Sequence, residues 1–328
     1  MSNPPTLSVI MSNYNDAKTL PRAIEAIVTQ SRIPDEFLIV DDGSTDESVN
    51  IIKSYIEKYS WIVLYQNEKN MGIQYSVNKL LKLTKADFFY GASANDYILP
   101  GFFEKGMRLA EKYPDAGVIV GEIISQDKNG NNLGIAKISS FKQPGFYDPV
   151  SVMNEYFFKE NPGYSFCSAT IFRTDLVLEL GGFLAELGSY CDTFIARGLA
   201  LKNGMIYLAF PCVVWTINEK SLSGSTSNDN IKLFQIIKNC SKLMSTNEYK
   251  EFFPDEYIKW WQFYYEHLTL ISSLVNSLKR LQTDENLNLF PKIRNSSRFK
   301  KILIKLVIKI EILFLKIQYV LCDRLLLK

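Results

Sequence analysis

The stretch Phe37-Leu-Ile-Val-Asp-Asp-Gly-Ser-Thr-Asp46 decides the fold. Four apolar residues, two of them β-branched, run directly into paired carboxylates, a glycine, two hydroxyl residues and a third carboxylate. An unbroken apolar run of this length reads as a strand buried on both faces, as a central parallel strand is. Such a strand ends where the chain turns polar, and in an open α/β sheet ligands sit at that carboxyl end. Gly43 permits a sharp turn. Ser44 or Thr45 is expected to cap a helix starting near Asp46, with Glu47 favourable in its first turn. Successive strand residues point opposite ways, so one of Asp41 and Asp42 can face a ligand while the other braces the loop. Read in isolation, the same stretch is equally a strand-to-helix turn with solvated acids; its surroundings decide.

Leu7–Met11 reads as a short buried strand, followed by the polar loop Ser12-Asn-Tyr-Asn-Asp16. From Thr19 to Gln30, Leu20, Ala23, Ile24 and Ile27 have helical spacing, with Pro21 in the first turn. A helix with Val49, Ile52 and Ile56 inward follows the Phe37–Val40 strand, and Trp61–Tyr65 reads as a third strand. The order β-α-β-α-β implies a parallel, right-handed, doubly wound sheet, hence an α/β fold. A helix is expected over 73–83. A strand over 87–90 should end in the polar cluster Gly91-Ala-Ser-Ala-Asn-Asp96. Beyond Pro100, Phe103, Met107 and Ala110 share a helix face, 116–124 reads as a strand, and Asp127-Lys-Asn-Gly130 as a hairpin turn. Residues 131–165 look aromatic and irregular, suited to moulding a substrate cleft. Strands over 167–172, 205–210 and 213–217 and helices over 176–180 and 192–201 complete this part. After about Ser225 helices dominate, near 230–244, 255–282 and 299–327. The expected division is therefore 1–225 for the α/β domain and 226–328 for a helical extension.

The 328 residues are 47% hydrophobic and 22% charged, as in ordinary globular proteins. Net charge is +2, but from Pro291 onward ten Lys/Arg face two Asp/Glu, which suggests that the tail meets something anionic. Five scattered cysteines without a Cys-x-x-Cys pair argue against a disulfide framework or a zinc knuckle and suit a reducing compartment. Met-Ser-Asn-Pro-Pro5 has neither the basic patch nor the apolar core of a signal peptide. The single histidine, His267, reads as a packed or surface residue. No Gly-x-Gly-x-x-Gly follows the first strand, which disfavours a dinucleotide oxidoreductase. The absence of a glycine-rich, lysine-bearing loop disfavours a nucleotidyltransferase. No nucleic-acid partner is expected.

Val9-Ile-Met-Ser-Asn-Tyr-Asn15, Ala23-Ile24, Gln30 and Val40-Asp-Asp-Gly-Ser-Thr-Asp46 together resemble the opening of family 2 glycosyltransferases, enzymes with the nucleotide-sugar-binding GT-A fold. The resemblance continues through Asn70-x-Gly72, Asn78, the Ser93–Asp96 cluster before Leu99-Pro100, Phe172-Arg-Thr-Asp175, Gly181-Gly-Phe183 and Asp192, spanning roughly 6–223. It implies an inverting transfer of a sugar from a nucleotide donor, by family frequency a UDP-sugar, to a hydroxyl of a surface-glycan or lipid-linked acceptor. By resemblance Asp42 accepts a hydrogen bond from the nucleobase imide, Tyr14 packs on the base, and Asp41, Asn70, Gly72 and Asn78 belong to the nucleotide site. Asp192 matches the general base, which takes the acceptor proton; as the opening residue of a helix it is also a natural N-cap.

The sequence departs from the family at the metal. The usual Asp-x-Asp carboxylate falls on Asn95, within Ser93-Ala-Asn95 before Asp96, and a later histidine falls on Asn218. A family acid preceding the base is Cys191, and a family arginine is Val77. Hard cations favour carboxylate oxygens, and a diphosphate leaving group needs positive charge beside it. Three accounts stand open: Asp96 and Asn95 hold Mg2+ or Mn2+ with the donor's phosphates, Lys220 replaces the metal, or a non-catalytic sugar-nucleotide or glycan binder remains. In the tail, Lys301, Lys305, Lys309 and Lys316 fall on one face of an otherwise apolar helix. That pattern suits an anionic bilayer surface, placing the protein in the cytoplasm at the inner face of a membrane; a packing helix with solvated lysines is the alternative. Trp260-Trp-Gln-Phe-Tyr-Tyr265 is either an interfacial anchor or core.

Overall fold

The computed structural model describes residues 3–160, 167–217, 226 and 229–266. Every side chain of Phe37–Val40 is buried, as a strand covered on both faces requires. This strand, β2 (Glu36–Asp41), lies parallel to β1 (Leu7–Asn13) on one side and β3 (Ile62–Gln66) on the other. The connecting helices are α1 (Leu20–Val28) and α2 (Ser48–Ile56). Helix α3 (Ile73–Leu83) then carries the chain to β4 (Phe88–Ser93), which pairs parallel with the opposite edge of β1. The strand order thus runs outward from β1 to β3 and reverses to β4. A crevice opens at such a switch point, beyond the carboxyl ends of the strands.

The other half of the sheet holds β5 (Tyr97–Ile98), β6 (Val118–Gln126), β7 (Asn132–Ala136), β8 (Gly145–Tyr147), β9 (Thr170–Arg173) and β10 (Met205–Thr216). The path is β3-β2-β1-β4-β9-β6-β10-β5, with β7 beside β6 and β8 beside β10. Here the expectation of a mostly parallel sheet is refined. Strand β9 runs antiparallel to both β4 and β6, so the sheet is mixed beyond β4. Two strands anticipated at 205–210 and 213–217 are one, with register shifts on either side of Pro211. Proline cannot donate to a ladder, and a bulge accommodates it.

Helix α4 (Phe102–Lys112) buries Phe103, Met107 and Ala110 as its spacing required. Of the segment 131–165, the described residues 131–160 depart from the irregular cleft wall expected of them. They contain β7, β8 and a short helix, α5 (Pro149–Ser151), which runs into a π-helical turn (Val152–Phe158). Phe141, Tyr156, Phe157 and Phe158 are buried, so most of this aromatic content is core. After α6 (Thr174–Glu179) and a 3-10 turn (Ala185–Tyr190), α7 (Cys191–Asn203) packs against α8 (Asn230–Met244) and α9 (Asp255–Trp261) in the same core.

Arg197 organises that contact. It is buried, donates to the hydroxyls of Tyr257 and Tyr265 at 2.8 Å each, and lies over the Phe157 and Trp261 rings at 4.8 and 5.2 Å. Trp260, Trp261 and Tyr265 are buried here, which assigns them to the core rather than to an interfacial anchor. His267, Asn218, Lys220 and the tail helix with Lys301, Lys305, Lys309 and Lys316 lie outside the described residues. Among the described residues no helix is long and apolar enough to cross a membrane.

Candidate functional site

The register of the parallel half aligns the polar strand ends. Asn13 stands opposite Asp41, Asp41 opposite Gln66, and Ser12 opposite Ser93. One rim therefore carries the ends of β1, β2, β3 and β4. Strand β9 runs the other way, so its lead-in, Cys167–Ala169, arrives at the same rim, where Ser168 accepts a bond from the Tyr90 hydroxyl at 2.9 Å.

Both acids of the deciding stretch are buried, Asp41 at 1% and Asp42 at 2% exposure. Asp41 accepts from Asn13 Nδ2 at 2.8 Å and from the Ser44 amide at 3.0 Å, which folds the turn after β2. Asp42 accepts from Asn67 Nδ2 at 2.7 Å, from the Met71 amide at 2.9 Å and from the Gly72 amide at 2.9 Å. Both carboxylates thus brace loops. A carboxylate offers about four lone-pair sites, so Asp42 retains one for a ligand N–H. Gly43, at φ 76°, comes so close to the next loop that a Cβ would lie 2.7 Å from the Lys69 carbonyl carbon.

The expected cap at Ser44 or Thr45 is corrected. The Ser44 hydroxyl accepts from Asn15 N and Asn13 Nδ2, while Asp46 accepts from Ser48 N at the start of α2. Tyr14 stands exposed at 44% just past β1. Asn70 accepts from the Gly72 amide at 3.0 Å, at the N-terminus of α3. Asn78 exchanges two bonds of 2.8 Å with the backbone of Phe183, so its amide ties α3 to the Gly181-Gly182 turn.

Ser93 and Asn95 bond to each other through their side chains, and Arg22 donates to the Asn95 carbonyl at 3.0 Å while lying 4.4 Å over the Tyr97 ring. Asp96 is 6% exposed and accepts from the Thr216 amide at 2.8 Å. Burial pushes its carboxyl up to about 7, against the pull of the Thr216 bond and the Arg22 charge. No group of three or more potential metal-ligating side chains occurs among the described residues. Asp96 is the sole carboxylate of the cluster and is buried, and the Asn95 oxygen is already engaged. Among the described residues this donor set does not by itself fit a resident cation; it can add to one carried by a phosphate ligand.

Asp192, half-buried in the first turn of α7, accepts from the Thr193 amide at 2.6 Å. Burial raises its carboxyl, opposed by bonds from Thr193 and from the thiol of Cys167. Helix α7, with Asp192 in its first turn, packs against Cys167–Ala169, the segment that enters β9 at this rim. Sequence reasoning passed over Asn13 and Asn67, the amides that hold Asp41 and Asp42. Asn13 had a signal, since a polar residue at the end of a buried strand must find a partner.

A family model described as glycosyl transferase family 2 matches residues 8–176. An uncharacterized glycosyltransferase of Methanocaldococcus jannaschii is 31% identical over 159 residues, 48% of this chain and 52% of that protein. EpsE of Bacillus subtilis, named as a glycosyltransferase, is 33% identical over 146 residues, 44% of this chain and 52% of that protein. The chain thus spans about half the length of the curated relatives it matches. Among solved structures, S. aureus TarS 1-349 in complex with UDP-GlcNAc superposes with a TM-score of 0.64 at 18% identity, over 84% of this chain and 78% of that one. The mannosyltransferase PcManGT from Pyrobaculum calidifontis, in complex with GDP-Man and Mn2+, gives 0.57 at 15% identity, over 86% and 77%. At these identities the superpositions establish a shared GT-A fold.

Proposed function

The chain belongs to glycosyltransferase family 2, and from that premise we propose that it is an inverting transferase moving a sugar from a nucleotide donor to an alcohol. The observations that support the reading are the rim shared by Asp42 and Ser93–Asp96 and the packing of α7, whose first turn holds Asp192, against the segment that enters β9 there. Asp42 has its carboxylate fixed by three N–H donors and one lone pair left for the imide of a pyrimidine, and exposed Tyr14 beside it packs on the base. Asn70 and Gly72 shape the wall of this pocket, Asp41 and Asn78 hold its loops, and Ser93, Asn95 and Asp96 face the sugar and phosphates.

Asp192 takes the proton from the acceptor hydroxyl as its oxygen bonds to the anomeric carbon. The bond from that carbon to the phosphate oxygen breaks, nucleoside diphosphate leaves, and the configuration inverts in one displacement. A carboxyl raised by burial is the better base for this step. Lys220 is the candidate to face the leaving diphosphate. The nucleotide sugars bound by TarS and PcManGT make UDP-sugars, then GDP-sugars, the first donors to test. A thermal-shift panel of these donors, each with Mg2+, Mn2+ or chelator, tests the reading: a ligand that prefers the folded state raises the melting point. A flat panel refutes it.

The acceptor we propose is a surface glycan or a lipid-linked sugar, met at the inner face of a membrane through the basic tail helix. Truncation before Ser296 should release the protein from anionic vesicles; retention of the truncated form excludes the tail as anchor. The thin donor set around Asn95 favours one rival, a binder that has lost transfer. Nucleotide release from any donor above background excludes it.

A further inference from the structure

Residue Gln74 connects two parts of the rim that are distant in sequence. It sits in the first turn of α3, whose N-terminus is held by Asp42 through the Gly72 amide at 2.9 Å. Its side-chain Nε2 donates to the Gly188 carbonyl at 3.2 Å. That same carbonyl accepts the backbone amide of Cys191, the first residue of α7. The turn needs such a fastening: Gly188 breaks its helical path at φ 52° and ψ −124°, a backbone region left to glycine. Asp192 follows one residue after Cys191.

We infer that Gln74 is a positioning residue for Asp192, clamping the turn that delivers the base to the helix end that Asp42 holds. The inference rests on the reading of Asp192 as the base. A two-residue step along α3 then separates the nucleotide anchor from the clamp, and donor and proton acceptor keep a fixed spacing. Neither half of this connection follows from the family motifs quoted above, which pass from Gly72 to Asn78 without using Gln74.

Two measurements on the full chain test it. The first is iodoacetamide labelling read by peptide mapping, which needs no turnover. Cys191 is 9% exposed and lies in the clamp, while Cys212 and Cys240, at 0% and 1%, report the rest of the fold. Gln74→Ala should raise labelling of Cys191 about tenfold, as loss of one hydrogen bond does for a local opening. Cys212 and Cys240 should stay at wild-type rates. An unchanged Cys191, or a rise at all three sites, overturns the clamp. The second is nucleotide release from UDP-GlcNAc, UDP-Glc and GDP-Man. Gln74→Ala should lower kcat about ten- to a hundredfold with UDP affinity unchanged, the cost of a small misplacement of a catalytic group. In an Asp192→Asn background Gln74→Ala should do nothing further. If Asp192→Asn turns over normally, the base assignment fails, whatever Cys191 does. If Asp192→Asn is dead and Gln74→Ala keeps wild-type kcat, the clamp fails and the base stands.

Discussion

Replacing Asp96 by asparagine should stabilise the protein, and only at high pH. Asp96 is 6% exposed, and burial raises its carboxyl to about 7 from 3.8. Near pH 5 to 6 the folded state holds the proton and the unfolded state has released it. With more protons bound in the folded state, the free energy of unfolding falls as pH rises through this window, then levels off above about 7. A difference of about 3 pK units at about 1.4 kcal/mol each gives about 4 kcal/mol as the full cost. Asparagine has the shape of the neutral acid, can still accept the Thr216 amide, and does not titrate. Asp192 is raised too, but it is present in both proteins and cancels from the difference. Urea unfolding followed by tryptophan fluorescence should therefore give equal stabilities near about pH 4, and an Asp96→Asn advantage approaching about 4 kcal/mol near about pH 8.5. A difference that does not change with pH, or a variant less stable at high pH, would refute the burial argument.

Gly43→Ala should cost roughly 2 kcal/mol or more, because a positive φ and a clash with the Lys69 backbone act together; denaturant melts measure it. Tyr257→Phe removes a bond donated by the buried Arg197 guanidinium and should cost about 2 kcal/mol in the same assay without changing UDP affinity, since Tyr257 makes none of the bonds that hold Asp42. UDP affinity should change less than about tenfold between Mg2+ and chelator at neutral pH, because Asp96 is the one carboxylate of its cluster, is buried, and has the uncharged Asn95 beside it; calorimetry decides, and a metal-dependent loss of a hundredfold or more would contradict it.

The parallel half of the sheet was legible in the sequence because burial on both faces writes continuous apolar runs, as at Phe37–Val40, and because 73–83 and 102–112 bury their spaced residues on one face. The mixed half was less so. Whether β9 pairs with β4 from one direction or the other depends on a connection of more than seventy residues, which no local pattern encodes. Within the aromatic segment, residues 131–160 misled because a side chain such as that of Phe141 or Phe157 is the same whether it lines a cleft or fills a core. At the site, the motif carriers Asp42, Asp96 and Asp192 stood out as polar residues at element ends. Their supports Asn67, Gln74 and the Thr216 amide did not, since a hydrogen bond between residues 25 to 120 positions apart leaves no mark in the spacing.

The measurement that bears most directly on the account pairs UDP binding with nucleotide release in Asp192→Asn. The account predicts wild-type UDP affinity, because the Asp42 pocket is untouched, and release from the donor lowered about a thousandfold or more by loss of the base. Release within a few-fold of wild type would contradict it, as would loss of UDP binding in a variant that still unfolds like the parent.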